Sequence, residues 1–129
     1  MKKRPATTVC ALGLLVSAGV ASAGTDAITY AKELPRFSGN INLATGTKDT
    51  NSQSKVENSI VGQNYEATMW IVDAKGKKVS TTVKDVTDND TRFFTVDQSA
   101  VGNSVTLEAE NDQFTRVRVE IAGRFYPDI

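Results

Sequence analysis

Asp85, Asp88, Asn89 and Asp90 crowd oxygen-bearing side chains into one short segment. Hard oxygen donors at close spacing are what calcium takes as ligands. The spacing matches no EF-hand, however, and no glycine stands where that loop needs its sharp turn. Aspartate and asparagine also hydrogen-bond their own backbone in turns. Residues 85–90 are therefore read as an ordinary acidic turn, with calcium as the alternative and no metal or cofactor assigned.

A second group is aromatic. Trp70 falls on the even-numbered face of an apolar run, opposite Met69 and Ile71. Open to solvent, with Tyr65 or Tyr126 nearby, it would give a stacking platform for a sugar or a partner protein. Covered by a loop, it is packing. A third group, Glu108, Glu110, Arg116, Arg118 and Glu120, has the residue types of acid-base catalysis. Its spacings support no paired-carboxylate geometry, and its members fall on outward strand positions. Asn89-Asp90-Thr91 has the form of a glycosylation acceptor, and Lys75, Lys77 and Lys78 cluster at a hairpin tip that reads as a solvated turn.

Other chemistries are excluded by composition. Histidine is absent, and the single cysteine is Cys10. A Ser-His-Asp triad, a Cys-His pair and a zinc site of nitrogen and sulfur ligands are all out of reach. The sequence is read as that of a protein that is not an enzyme.

The first 23 residues explain where Cys10 goes. Met1-Lys2-Lys3-Arg4 is a compact positive start, and an apolar stretch runs from Ala6 to Val20. Ala21-Ser22-Ala23 follows, the small-x-small pattern before a cleavage point. Residues 1–23 are read as a signal peptide cut before Gly24. The apolar stretch is diluted by Thr7, Thr8, Gly13, Ser17 and Gly19, and is shorter than the ~20 residues of a spanning helix. Cys10 precedes most of that stretch, so it is not at a lipid-attachment position. Removal of Lys2, Lys3 and Arg4 leaves twelve basic residues against fifteen acidic ones, a net charge near −3. That balance gives no reason to expect nucleic acid as a partner.

The elements that must position these residues come from patterning. Residues 24–35 are a leader, either flexible chain or an edge strand, and residues 36–129 form one domain. Phe37, Gly39, Ile41 and Leu43 alternate with polar residues over 36–44, the period of a half-buried strand. A polar loop covers 45–54, and a weaker strand covers 55–61. Residues 65–72 and 78–83 are expected to pair around Asp73-Ala74-Lys75-Gly76-Lys77, with Gly76 in the left-handed position of a three-residue hairpin loop. That register sets Ile71 against Val79, Met69 against Thr81 and Ala67 against Val83. Further strands are expected at 91–96, 104–110 and 116–125. The last two are expected to be neighbours, with Glu110 opposite Arg116 and Glu108 opposite Arg118. Six or seven short strands with no helical period predict an all-β fold, a small antiparallel β-sandwich.

The expectation for function is a secreted, extracellular binding protein with no transmembrane anchor, contacting a protein or carbohydrate at a cell surface. The alternative is a secreted toxin or bacteriocin-like protein acting on membranes or competing cells.

Overall fold

A computed structural model describes residues 25–129. The signal peptide assigned to residues 1–23 and its cleavage before Gly24 lie outside the described residues. The fold is all-β, with eight strands where six or seven were expected. They are β1 (Ile28–Leu34), β2 (Ile41–Thr47), β3 (Ser54–Val61), β4 (Ala67–Asp73), β5 (Val83–Val86), β6 (Asp90–Phe94), β7 (Ser104–Asn111) and β8 (Val119–Tyr126).

Two antiparallel four-stranded sheets face one another. The first has the order β1-β8-β3-β6 and the second β2-β7-β4-β5. Each strand except β4 hands the chain to the opposite sheet, and only the β4–β5 connection stays in one sheet. Alternation along the strands explains why the layers meet. Val119, Ile121 and Phe125 of β8 are buried, as are Val105, Leu107 and Ala109 of β7 and Ala67, Met69 and Ile71 of β4. Residues that alternate with these inward positions on each strand face outward, and Gly123 of β8 is buried on the inward side. Burial of each large apolar side chain contributes about 1.5–3 kcal/mol, and the facing sets join in one core.

Odd-numbered strands run one way and even-numbered strands the other, so the loops sort cleanly onto two ends. The upper end carries loops 35–40, 62–66, 87–89 and 112–118. The lower end carries 48–53, 74–82, 95–103 and residues 127–129.

Several expected elements take a different form. β7 and β8 are not neighbours: they lie in opposite sheets, joined across the upper end by residues 112–118. Both arrangements bury Val105, Leu107, Ala109, Val119 and Ile121, because two strands packed face to face alternate just as two paired strands do, but Val117, expected inward, is exposed in the upper loop. Glu108 instead stands beside Asn42 and Trp70, and Glu110 beside Thr68. Arg116 and Arg118 belong to the upper loop.

The 73–77 turn forms as expected. Asp73 N–H donates to Lys77 O at 2.8 Å, and Val79 N–H donates to Ile71 O at 2.9 Å. The return strand then departs from the expected register. Ser80 bridges Val96, and Thr81 N–H bonds Thr95 O, tying this segment to the chain beyond β6. Pairing with β4 resumes two residues later, with Met69 opposite Val83 and Ala67 opposite Val86. The detour keeps the Thr81 hydroxyl out of the core, where an unpaired polar group is costly, and puts Val83 and Val86 there.

The strand expected at 36–44 starts only at Ile41, because Phe37 and Ser38 have φ of 59° and 55°. Those left-handed residues break the pleat, and Phe37 points outward. β2 in turn runs on to Thr47, so the polar loop shortens to residues 48–53.

Candidate functional site

The upper end is built by a proline and a run of left-handed residues. Pro35 is extended, and Phe37 then turns the chain at φ 59°, ψ 38°. Phe37 N–H donates to Thr115 O at 2.7 Å, which joins the 35–40 loop to the 112–118 loop. The joined loops bring two rings together: the Phe37 and Phe114 centroids are 5.1 Å apart with a tilt of 39°. Edge-on and tilted pairs of this kind are favourable. The pair is nonetheless in water, Phe114 76% exposed and Phe37 49% exposed. On the same two loops Val117, Arg36, Arg116 and Arg118 are also exposed.

The 62–66 loop repeats the backbone device, with Gln63 at φ 56° and Asn64 at φ 62°. It stands as a ridge between two clefts. One, about 280 Å³, lies between Asn64, Tyr65, Glu66, Thr87 and Asp88. The other, about 500 Å³, lies between Glu33, Ile60, Gln63, Arg118 and Glu120. Asp85 and Asn89 have φ of 60° and 52°. All six non-glycine residues with positive φ among the described residues, Phe37, Ser38, Gln63, Asn64, Asp85 and Asn89, are therefore in or beside the upper loops. Such backbone costs about 1–2 kcal/mol per ordinary residue, less for asparagine and aspartate.

The acidic residues divide into two uses. Asp88 Oδ1 accepts Val61 N–H at 2.7 Å, and Asn89 N–H donates to Ser59 O at 3.1 Å, so the turn is fastened to β3. Asp90 Oδ2 accepts Thr87 N–H at 3.2 Å and lies 3.3 Å from Arg92 Nη1. Asp85 belongs to β5 and looks elsewhere. Its carboxylate lies with those of Glu66 and Asp112, ligand oxygens within 4.8 Å of one another. Asp112 also accepts the Thr68 hydroxyl.

The three aromatics singled out from the sequence are not brought together. Trp70 is half-buried on the outer face of the second sheet, its Nε1–H donating to Glu108 Oε1 at 3.1 Å. Tyr126 is on the outer face of the first sheet. Its hydroxyl donates to Glu57 Oε1 at 2.9 Å, and Lys55 Nζ sits 4.4 Å from its ring centre. That hydroxyl is the main reason the Glu57 carboxyl titrates below its ordinary range. Tyr65 lies at the upper end, packed against the core, with its hydroxyl 3.3 Å from Thr115 Oγ1.

The residues that dominate the upper end, Phe37, Phe114, Arg36 and Gln63, escaped sequence reasoning. Phe37 fitted an inward position in the alternation. Phe114 offered a usable signal: a large apolar residue inside a polar loop, with no periodic partner. The lower end holds the other concentration of polar chemistry. Lys48 Nζ and Asp128 Oδ1 are 2.5 Å apart, and each side chain is 1% exposed. Asp49 N–H, Thr50 N–H, the Thr50 hydroxyl and the Ser52 hydroxyl also donate to that carboxylate. Burial pushes the Asp128 carboxyl up, but these donors outweigh it and hold it below its ordinary range. The Lys48–Asp128 pair is an anchor, closed to solvent.

No helix of the described residues is long and apolar enough to cross a membrane. Comparison with protein-family models, with curated proteins and with solved structures finds no match to this chain.

Proposed function

We propose that the chain is an exported, non-enzymatic domain that acts by binding at or outside the cell surface, through the upper end of its sandwich. Export rests on the charged start, apolar middle and small-residue exit of residues 1–23. The absence of histidine, and of any cysteine beyond Cys10, favours binding over catalysis. The observation that carries the choice of surface is the gathering of left-handed backbone around the Phe37–Phe114 pair. Strained backbone persists where the surrounding fold holds it, and it concentrates at sites of function. Exposed aromatics beside arginines are the composition of interface centres.

Equilibrium binding of the purified protein to intact cells of its source and to their surface fraction tests this. Phe114→Ala should weaken binding tenfold or more with the thermal midpoint unchanged, and Lys55→Ala on the first sheet's outer face should bind like wild type. If Phe114→Ala binds normally while Trp70→Ala does not, the contact surface is the outer face of the second sheet.

The exposed Phe114 with Arg36 and Arg116 also favours a second reading, action on an anionic lipid surface by a secreted toxin. Dye release from anionic vesicles, abolished by Phe114→Ala, would support it over the first.

A further inference from the structure

We infer that the partner of the upper end is the lower end of a second copy of this chain, so that copies stack head to tail along the strand direction. The inference rests on the reading of the upper end as a binding surface. It comes from what the same strands carry at their opposite ends.

Phe114 follows the upper terminus of β7 by three residues and is the most exposed of the large apolar side chains. Below the lower terminus of that strand is a cleft of about 300 Å³, with Ser104, Val79, Ala74, Ala100, Asn103 and Lys75 in its walls. An apolar cavity of ~150 Å³ is enough to hold a benzene ring. The cleft therefore has room for one phenyl side chain, and Lys75, which lines it together with Asp73, offers a cation for the ring face.

Charges follow the same line. Glu66 before β4, Asp85 within β5 and Asp112 after β7 have carboxylates that converge. Below β4 hangs the hairpin tip with Lys75 and Lys77, both exposed. The Asp73 carboxylate between them accepts the Lys75 and Lys77 backbone N–H groups at 2.9 Å and offsets part of their charge. On β4, β5 and β7 the upper end thus carries a carboxylate cluster and the lower end a lysine cluster, Lys78 included, while Arg36, Arg116 and Arg118 stand on the neighbouring upper loops. Phe114 and the cleft likewise stand at opposite ends of β7. A contact between two different surfaces related in this way does not close on itself, and it propagates as an open chain of copies.

The test is the solution mass of the purified protein by sedimentation velocity and light scattering, over a wide concentration range. At low salt the average mass should rise with concentration, and half-molar salt should return it toward the monomer, because the charges are exposed and screened. Phe114→Ala should hold the protein monomeric throughout. Two charge-reversed variants give the sharper test. Glu66→Lys with Asp112→Lys reverses the upper end, and Lys75→Glu with Lys77→Glu reverses the lower. Each should stay monomeric alone, since its two ends then repel, and the two mixed should assemble. Thermal midpoints within a few degrees of wild type exclude misfolding as the cause.

A wild-type protein that stays monomeric at millimolar concentration, or a mixture that stays monomeric, overturns the stacking. If Phe114→Ala still abolishes surface binding in that case, the upper end remains a binding surface with a different partner.

Discussion

The two ends of this sandwich solve the same problem, reversing the chain between strands, with different chemistry. At the lower end, the two positive-φ positions are Gly76 and Gly102, where a left-handed backbone carries no side-chain penalty. Lys48 and Asp128 are sealed in a web of donors there, and Ser54 Oγ fastens Pro127 O at 2.6 Å. At the upper end, the same backbone region is occupied by phenylalanine, serine, glutamine, asparagine and aspartate, and all of these except half-buried Ser38 are exposed. The lower end is arranged for stability. The upper end gives up stability for the placement of particular side chains, which is the pattern expected of a surface kept for contact.

The comparison is broken most directly at the lower anchor. Asp128→Ala leaves the Lys48 ammonium buried without its carboxylate and is expected to cost about 3–5 kcal/mol. Lys48→Ala should cost less, because four other hydrogen bonds still reach the Asp128 carboxylate. Denaturant titrations of the two variants measure both. If Lys48→Ala cost more than Asp128→Ala, the carboxylate would not be the centre of the web.

Acid should weaken the same end. The folded Asp128 carboxyl titrates below the ordinary aspartate value of 3.8. Its contribution is therefore complete above that value and is lost as the pH falls below it toward the depressed folded value. The thermal midpoint of wild type should drop between pH 5 and pH 2.5, roughly the span over which carboxylates of this kind titrate. Asp128→Asn should start lower and change less over the same range. Parallel curves would remove Asp128 from the acid transition.

Backbone substitutions sharpen the contrast with opposite signs. Gly76→Ala meets nothing within 4 Å of the new Cβ, so only its φ of 83° opposes the change. It should destabilise by about 1 kcal/mol. Gln63→Gly at the upper end should stabilise by about 0.5–1 kcal/mol, since relief of the left-handed strain exceeds the added freedom of the unfolded chain. Equal signs at the two positions would mean that the ends do not differ in strain.

Much of the architecture was legible as alternation. The inward set Met69 and Ile71, the outward Trp70 and the Asp73–Lys77 turn all follow from a period of two and a well-placed glycine. Pairing was not legible. The apolar faces of β7 and β8 match equally well as neighbours or as opposed layers, and the charges of Glu108, Glu110, Arg116 and Arg118 happened to fit the wrong choice. The acidic segment was read as one group because it is contiguous. In space, Asp88 and Asp90 hold backbone, while Asp85 joins Glu66 and Asp112 from other parts of the chain.

By itself the sequence determined an all-β domain, its turn chemistry and the side chains bound for its core, because these depend on near neighbours and on which atoms avoid water. The tertiary structure decided which strands share a sheet and which loops share an end. It made Lys48 a buried partner of Asp128 across 80 residues of chain, and it set Phe114 against Phe37 in solvent. Those outcomes depend on how distant segments satisfy one another's hydrogen bonds and charges, and a local pattern carries no record of that.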